Sequence, residues 1–126
     1  MKTKAIKLIN DLAKKAEDLK PPIHVIAVCS GGQIVGRQIY KYLKQEGIET
    51  SYYEAWTNII GGRATVWKCD FKKSDYIGTV LLAEDVIWLG RSLNAVKKML
   101  YGMKKKRVYV AVILDYNHKA DFSNFN

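Results

Sequence analysis

Two stretches of this chain carry residue types whose spacing can do chemistry. The first is Val80-Leu81-Leu82-Ala83-Glu84-Asp85-Val86-Ile87-Trp88-Leu89-Gly90-Arg91-Ser92-Leu93. An apolar run ends in two adjacent carboxylates, and a short loop with a glycine then leads into a second apolar pattern. Adjacent carboxylates at the end of a buried run cannot both stay charged without partners. The partners that suit them are the vicinal hydroxyls of a sugar, or a cation. Gly90 permits tight backbone geometry, and with Ser92 at a helix start the loop can aim backbone amides at a phosphate. Carboxylates for sugar hydroxyls beside amides for a phosphate describe a ribose-phosphate site. The plainer alternative is a solvated acidic pair, or a salt bridge to one of many lysines.

The second stretch is the turn Ser30-Gly31-Gly32. Alone it reads as an ordinary helix cap, with the serine accepting a backbone hydrogen bond. Beside the first stretch it gains a second meaning, as another set of amides near a helix start.

The elements that must position these residues follow from periodicity. Residues 3–20 repeat apolar side chains at helical spacing (Ala5, Ile9, Leu12, Ala16, Leu19), and Pro21-Pro22 ends that helix. Ile23 to Cys29 is an apolar run of strand length, followed by a helical stripe through Val35, Ile39 and Leu43 that closes at Gly47. Thr50 to Trp56 reads as a strand, Gly61-Gly62 as a hairpin turn, and Thr65 to Asp70 as its antiparallel partner. Thr79 to Ala83 is a strand, 84–90 an irregular turn, and Leu93, Val96, Leu100 and Met103 a third helical stripe. Val108 to Leu114 is the last strand, and the tail from Asp115 has no clear periodicity. Strands alternating with helices predict an α/β fold: a mostly parallel central sheet flanked by helices, with a small antiparallel hairpin. Ligands of such sheets lie at the carboxyl ends of the strands, where strand order reverses. Both turns follow strands and precede helices, so both belong on that edge.

At 126 residues, with 48% apolar and 26% charged residues, the chain is expected to form one domain over 1–126 with a single core. No apolar stretch approaches the ~20 residues of a membrane span. Cys29 and Cys69 lie inside strand-like runs rather than in a disulfide framework, which fits a reduced, cytoplasmic setting. The net charge of +9 implies attraction to phosphate in some form without saying which. Much of it lies in Lys2, Lys4, Lys7, Lys14, Lys15 and Lys20, and in Lys97, Lys98, Lys104, Lys105, Lys106 and Arg107. Two solvated helix faces are the simple expectation for both groups.

The 80–93 segment resembles the phosphoribosyl-pyrophosphate-binding motif of the type I phosphoribosyltransferases, and element order extends the likeness over about residues 5–115. The resemblance implies that Glu84 and Asp85 hold the ribose hydroxyls. Trp88, Leu89, Gly90, Arg91 and Ser92 would wrap the 5-phosphate through backbone amides and the Ser92 hydroxyl. Ser30, Gly31 and Gly32 match the family's pyrophosphate loop, Arg63 is the hairpin residue able to reach a diphosphate, and Tyr116 or Phe122 could stack on a base. Magnesium bound with the diphosphate is implied by the same resemblance. So is a homodimer, with Tyr52, Tyr53 and Trp56 expected as exposed interface aromatics.

The chain departs from the family pattern in three places. Trp88 and Leu89 stand where most purine-type members carry aspartate and threonine, so no catalytic base is assigned. The loop between the middle strands spans only about Thr57 to Arg63, and the base-binding hood is nearly absent. Two functions therefore stand side by side. One is an enzyme transferring phosphoribosyl from its diphosphate to a purine-like base. The other is a catalytically silent relative that senses a nucleotide or binds nucleic acid through its basic helices. His24 reads as a packed strand residue, Cys29 as a buried thiol, and no His or Cys pair has metal-ligand spacing.

Overall fold

The computed structural model describes residues 3–72, 77–105 and 107–126, so Lys2 and Lys106 lie outside the described residues. The central strand is β1 (Ile23–Cys29), buried at all seven positions. A strand that is apolar throughout must be covered on both faces. Around it run β2 (Thr50–Ile60), β3 (Arg63–Cys69), β4 (Thr79–Ile87), β5 (Val108–Asp115) and β6 (Phe122–Phe125), in the spatial order β3-β2-β1-β4-β5-β6. Every neighbouring pair is parallel except β2 and β3. The chain steps outward from β1 to β2 and β3, then returns to place β4 on the other side of β1. Strand order thus reverses at the carboxyl ends of β1 and β4.

Helices α1 (Thr3–Lys15) and α2 (Gln33–Gln45) cover one face. Their Ile9, Leu12, Val35, Ile39 and Leu43 pack on Val25, Leu81 and Ala111 of the sheet. Helix α3 (Arg91–Gly102) covers the other, where Leu93, Val96 and Leu100 meet Ile26, Val28, Leu82 and Val110. The alternation of side chains along each strand divides the core in this way. No described helix is long and apolar enough to cross a membrane.

Four boundaries differ from the sequence expectation. The first helix ends at Lys15, not 20, because Ala16 and Leu19 make tight turn bonds to Ala13 O (3.0 Å) and Ala16 O (3.2 Å). Ala16 stays buried, which is why the apolar stripe ran on past the helix. Strand β2 continues to Ile60, since Ile60 still pairs with Arg63 across the Gly61-Gly62 turn. Both glycines have positive φ (59° and 76°), the geometry a tight two-residue hairpin demands. Strand β4 carries Glu84 and Asp85 within it, held in register by Glu84 opposite Val112 and Ile87 opposite Asp115. The tail adds β6, with Phe122 opposite Ala111.

The aromatic residues expected on the surface are half-buried and engaged within the chain. Tyr52 faces α2, its ring 6.1 Å from that of Tyr40, while Tyr53 on the opposite face packs edge-on against Phe71 at 4.9 Å. Trp56 lies 6.2 Å from Trp67. The basic groups also divide. Lys4, Lys7, Lys14, Lys15 and Lys20 are exposed as expected, but Lys105 is buried, at 6% exposure, beyond the end of α3.

Candidate functional site

The reversal of strand order brings the two stretches together. The β1 strand delivers Ser30-Gly31-Gly32, and β4 delivers Glu84-Asp85 beside it. The approach is close: a Cβ added to Gly31 would stand 2.7 Å from Asp85 Oδ1 and 3.0 Å from Glu84 Oε1. Gly32 is pressed harder, its virtual Cβ only 2.1 Å from the carbonyl oxygen of Ala83. At position 32 only glycine lets the turn pass the β4 backbone at Ala83. The Cys29–Ser30 peptide bond is cis.

Gly32, not Ser30, is the N-cap of α2, and no side chain caps the helix. Ser30 contributes its carbonyl to Gln33 N at 3.1 Å, and its side chain is exposed at the turn. Gln33 ties the turn outward, donating from Nε2 to Glu54 Oε2 at 2.8 Å. Glu54 also accepts from Tyr52 Oη (2.7 Å), Trp56 Nε1 (3.3 Å) and Arg37 (3.4 Å). Burial pushes the Glu54 carboxyl up, but the hydrogen bonds from Tyr52, Gln33 and Trp56 outweigh it and hold it below its ordinary value.

The acidic pair behaves oppositely. Burial pushes the Glu84 carboxyl up to about 8, reinforced by its hydrogen bond to Asp85 and by the Asp85 charge. Glu84 therefore keeps its proton at neutral pH, as a buried carboxyl beside a like charge does. Val86 N donates to Asp85 Oδ1 at 2.8 Å and orients it. Burial also pushes the Cys29 thiol up to about 12, with Glu54 and Glu84 adding to the effect. A thiol so protonated is no nucleophile.

Beyond the pair, Trp88 and Leu89 form the loop, and Gly90 at φ 75° starts α3 without a side-chain cap. The first amides of a helix have no intrahelical partner, so those of Arg91, Ser92 and Leu93 face the loop unclaimed by the helix. They border a cleft of about 290 Å³ lined by Glu84, Val86, Trp88, Gly90 and Ser92, with Ile59 reaching in from the β2–β3 hairpin. A helix start with unclaimed amides beside two carboxylates can hold an anion and a polyol together.

The β5–β6 turn closes on the same loop. Tyr116 N donates to Ile87 O at 3.0 Å, Asn117 Nδ2 to Trp88 O, and Lys119 Nζ to Leu89 O at 3.0 Å. The Tyr116 and Trp88 rings lie 4.6 Å apart. Asp115 organises this turn: burial pushes its carboxyl up, but amides of Ala120, Lys119 and Asn117 bring it below its ordinary value.

Of the residues singled out in the sequence, Glu84, Asp85, Gly31, Gly32, the 88–92 loop and Tyr116 converge on one edge. Two do not. Phe122 packs in the α1–α2 core, its ring 6.3 Å from that of Tyr109. Arg63 is exposed at the hairpin tip, and Ile59 rather than Arg63 lines the cleft. Lys119, Asn117 and Ile59 were not picked out. Lys119 meets a residue thirty positions away, a contact that leaves no local pattern.

A six-stranded sheet that reverses at β1 and β4, with an acidic pair on the second strand and a glycine turn on the first, is the type I phosphoribosyltransferase fold. The chain is similar to a purine phosphoribosyltransferase from Pyrococcus horikoshii, with TM-score 0.80 at 16% identity over 99% of this chain and 84% of that one. It is likewise similar to a hypoxanthine phosphoribosyl transferase from Trypanosoma cruzi (TM-score 0.79, 20% identity, 96% of this chain and 72% of that one). A hypoxanthine-guanine phosphoribosyltransferase from Bacillus anthracis gives TM-score 0.76 at 20% identity, over 95% and 74% of the two chains. No family model matches the chain, and no curated protein matches it in sequence. At such identities the likeness is one of fold.

Proposed function

We propose that this chain binds phosphoribosyl pyrophosphate or a nucleoside 5-monophosphate at the β1–β4 edge and transfers phosphoribosyl to a purine-like base. The observation that carries the reading is the contact of Gly31 with the Glu84–Asp85 pair. It supports a reading in which backbone amides meet a diphosphate and carboxylates a ribose of one ligand. Glu84 and Asp85 take the ribose hydroxyls, and the amides of the 88–92 loop with Ser92 take the 5-phosphate. The amides at Ser30, Gly31 and Gly32 take the diphosphate. Trp88 and Tyr116 offer aromatic faces for a flat base.

In the reaction the bond from the anomeric carbon to the diphosphate oxygen breaks, a bond from a ring nitrogen forms, and that nitrogen gives up its proton to water or to the departing diphosphate. Charge builds on the departing oxygens, and preorganised amides at the glycine turn lower its cost. Among the described residues no three His, Cys, Asp or Glu groups form a metal cage. The hard oxygens of Asp85 and Glu84 nevertheless fit magnesium, which is usually shared between one or two carboxylates and substrate phosphates. Bound there with the diphosphate, it would neutralise the leaving group.

Two observations favour a second reading, nucleotide binding without turnover. Trp88 cannot take a proton and is packed on Tyr116, and Asp115 is committed to three amides. Calorimetric titration of phosphoribosyl pyrophosphate with magnesium, into the parent and a Glu84→Ala, Asp85→Ala double variant, tests the site. Binding by the parent that vanishes in the variant supports it, and no binding by the parent overturns it. Release of diphosphate on adding a purine base then separates the enzyme from the silent binder.

A further inference from the structure

The turn at Ser30-Gly31-Gly32 must aim its amides at one anion, yet two of its three residues have no side chain to hold it. Gly32 caps α2 without any side-chain hydrogen bond. Among the described residues, only one side chain of 30–33 makes a hydrogen bond: Gln33 Nε2 donates to Glu54 Oε2 at 2.8 Å. We infer that Glu54 is a positioning residue for this turn, acting through Gln33, and that it sets a preference for ligands carrying a diphosphate. The inference rests on the reading that residues 30–32 meet the diphosphate, and goes beyond it to the residue that holds them in place.

Glu54 has the supports of a fixed point. It stands on β2 opposite Ala27 of the central strand, and its amide donates to Asp70 Oδ1 at 2.8 Å. Both sides of its backbone are thus held. Its side chain shares a strand face with Tyr52, two residues earlier, which is the face α2 covers. Tyr52 Oη donates to Oε2 at 2.7 Å and Trp56 Nε1 to Oε1 at 3.3 Å, so both carboxylate oxygens are engaged. An ionised acceptor makes a stronger hydrogen bond than a neutral one, which suits it to hold Gln33.

An ion pair with Arg37 is the plainer role for Glu54, and it is the weaker contact. The Arg37 side chain is 63% exposed and its Nη2 stands 3.4 Å away, an arrangement that contributes little. Nor does α2 depend on the tether to dock, since Val35, Ile39 and Leu43 are buried in the core. What the tether fixes is the first residue of the helix, whose amide bonds Ser30 O at 3.1 Å across the turn. Movement of Gln33 therefore moves the turn. Amides that converge on an anion contribute affinity only as far as they are preorganised.

The test is calorimetric titration of phosphoribosyl pyrophosphate with magnesium, and separately of adenosine 5-monophosphate, into the parent and Gln33→Ala. The monophosphate engages the carboxyl pair and the 88–92 loop, so it does not call on the turn. Gln33→Ala should weaken phosphoribosyl pyrophosphate about three- to tenfold, the scale of one hydrogen bond, and leave the monophosphate unchanged. A residue that merely supported the fold would affect both ligands alike. Glu54→Gln and Glu54→Leu supply the rescue. The first keeps a partner for Gln33 in either amide orientation and should bind phosphoribosyl pyrophosphate as the parent does. The second removes that partner and should match Gln33→Ala. Because Gln33→Ala changes a partly exposed residue and keeps every other bond to Glu54, it folds whatever Glu54→Leu does. Equal loss for both ligands, no loss for either, or equal behaviour of the two Glu54 variants overturns the inference.

Hydrogen exchange at the Gly32 amide, which bonds Val28 O at 2.8 Å, separates this failure from that of the functional reading. If the parent binds no phosphoribosyl pyrophosphate, the functional reading falls and the diphosphate preference with it. Faster exchange at Gly32 in Gln33→Ala would still assign the holding of the turn to Glu54, and unchanged exchange would overturn that as well.

Discussion

Gly31 lies against Asp85 so closely that a methyl group at position 31 would stand 2.7 Å from the carboxylate oxygen Oδ1. The obstacle is the end of a side chain, which can swing aside, but only by leaving the position the ligand needs. Gly31→Ala should therefore leave the unfolding midpoint nearly unchanged and weaken phosphoribosyl pyrophosphate binding at least tenfold. Gly32→Ala meets the backbone carbonyl of Ala83 at 2.1 Å, which cannot swing. That variant should lose about 1–3 kcal/mol or more of stability, as overpacking does. Thermal unfolding beside calorimetric titration separates the two effects, and equal loss of stability in both variants would contradict them.

Glu84 makes stability depend on pH in a direction unusual for a carboxylate. Its ordinary value of 4.5 is raised to about 8, by burial first and then by Asp85. Between those values the folded chain holds a proton that the unfolded chain has lost, so stability falls as pH rises. The contribution is complete below about 4.5 and gone above about 8. Glu84→Gln keeps a neutral side chain at every pH, so its advantage over the parent should grow from pH 5 to pH 9. Urea midpoints across that range check this. Parallel profiles for parent and variant would mean that Glu84 holds no extra proton in the folded chain.

Much of the site was legible because its signals are local. Two carboxylates interrupting an apolar run, and two glycines following another, stand out without any partner being known. The hairpin was equally plain, since Gly61-Gly62 suits the positive φ that both residues adopt. What escaped depends on distant partners. Phe122–Phe125 is a strand only because β5 lies alongside, and Phe122 turns inward to Tyr109 where sequence suggested a base-stacking ring. Glu84 and Asp85 looked like the start of a loop because charge breaks the apolar run, yet pairing with β5 keeps them in the strand to Ile87. Tyr52 and Tyr53 looked like an exposed pair because their partners, Tyr40 on α2 and Phe71 after β3, are not their neighbours in sequence.

Cys29 stands at the end of β1, one residue before the glycine turn, where a reactive thiol would be conspicuous. Its thiol is buried and raised to about 12, by loss of solvent first and by the charges of Glu54 and Glu84 next. The folded protein at pH 8 should leave Cys29 unmodified by iodoacetamide over hours, with alkylation appearing only on unfolding in urea. Mass spectrometry of the peptide containing Cys29 reports the outcome. Rapid labelling of the native protein would show an opened turn and a thiolate that this packing forbids.

The loop at 88–90 is held from outside its own sequence, and Lys119 is the clearest handle on it. Lys119 Nζ bonds Leu89 O at 3.0 Å, and its stem lies 3.1 Å from where a Cβ on Gly90 would stand. Because the contact is exposed, its loss should cost well under about 1 kcal/mol of global stability. Its local effect should be larger, since amides that must converge on a phosphate are useful only if preorganised. Lys119→Ala should speed amide exchange at Leu89 to Ser92 while leaving exchange in β1 and β4 unchanged. It should also weaken nucleoside 5-monophosphate binding several-fold. Gly90→Ala attacks the same loop through its backbone, placing a side chain at φ 75° at a cost of about 1–2 kcal/mol. If Lys119→Ala left both exchange and affinity untouched while Gly90→Ala lowered affinity, the backbone alone would set the loop's shape, and the β5–β6 turn would be a passenger.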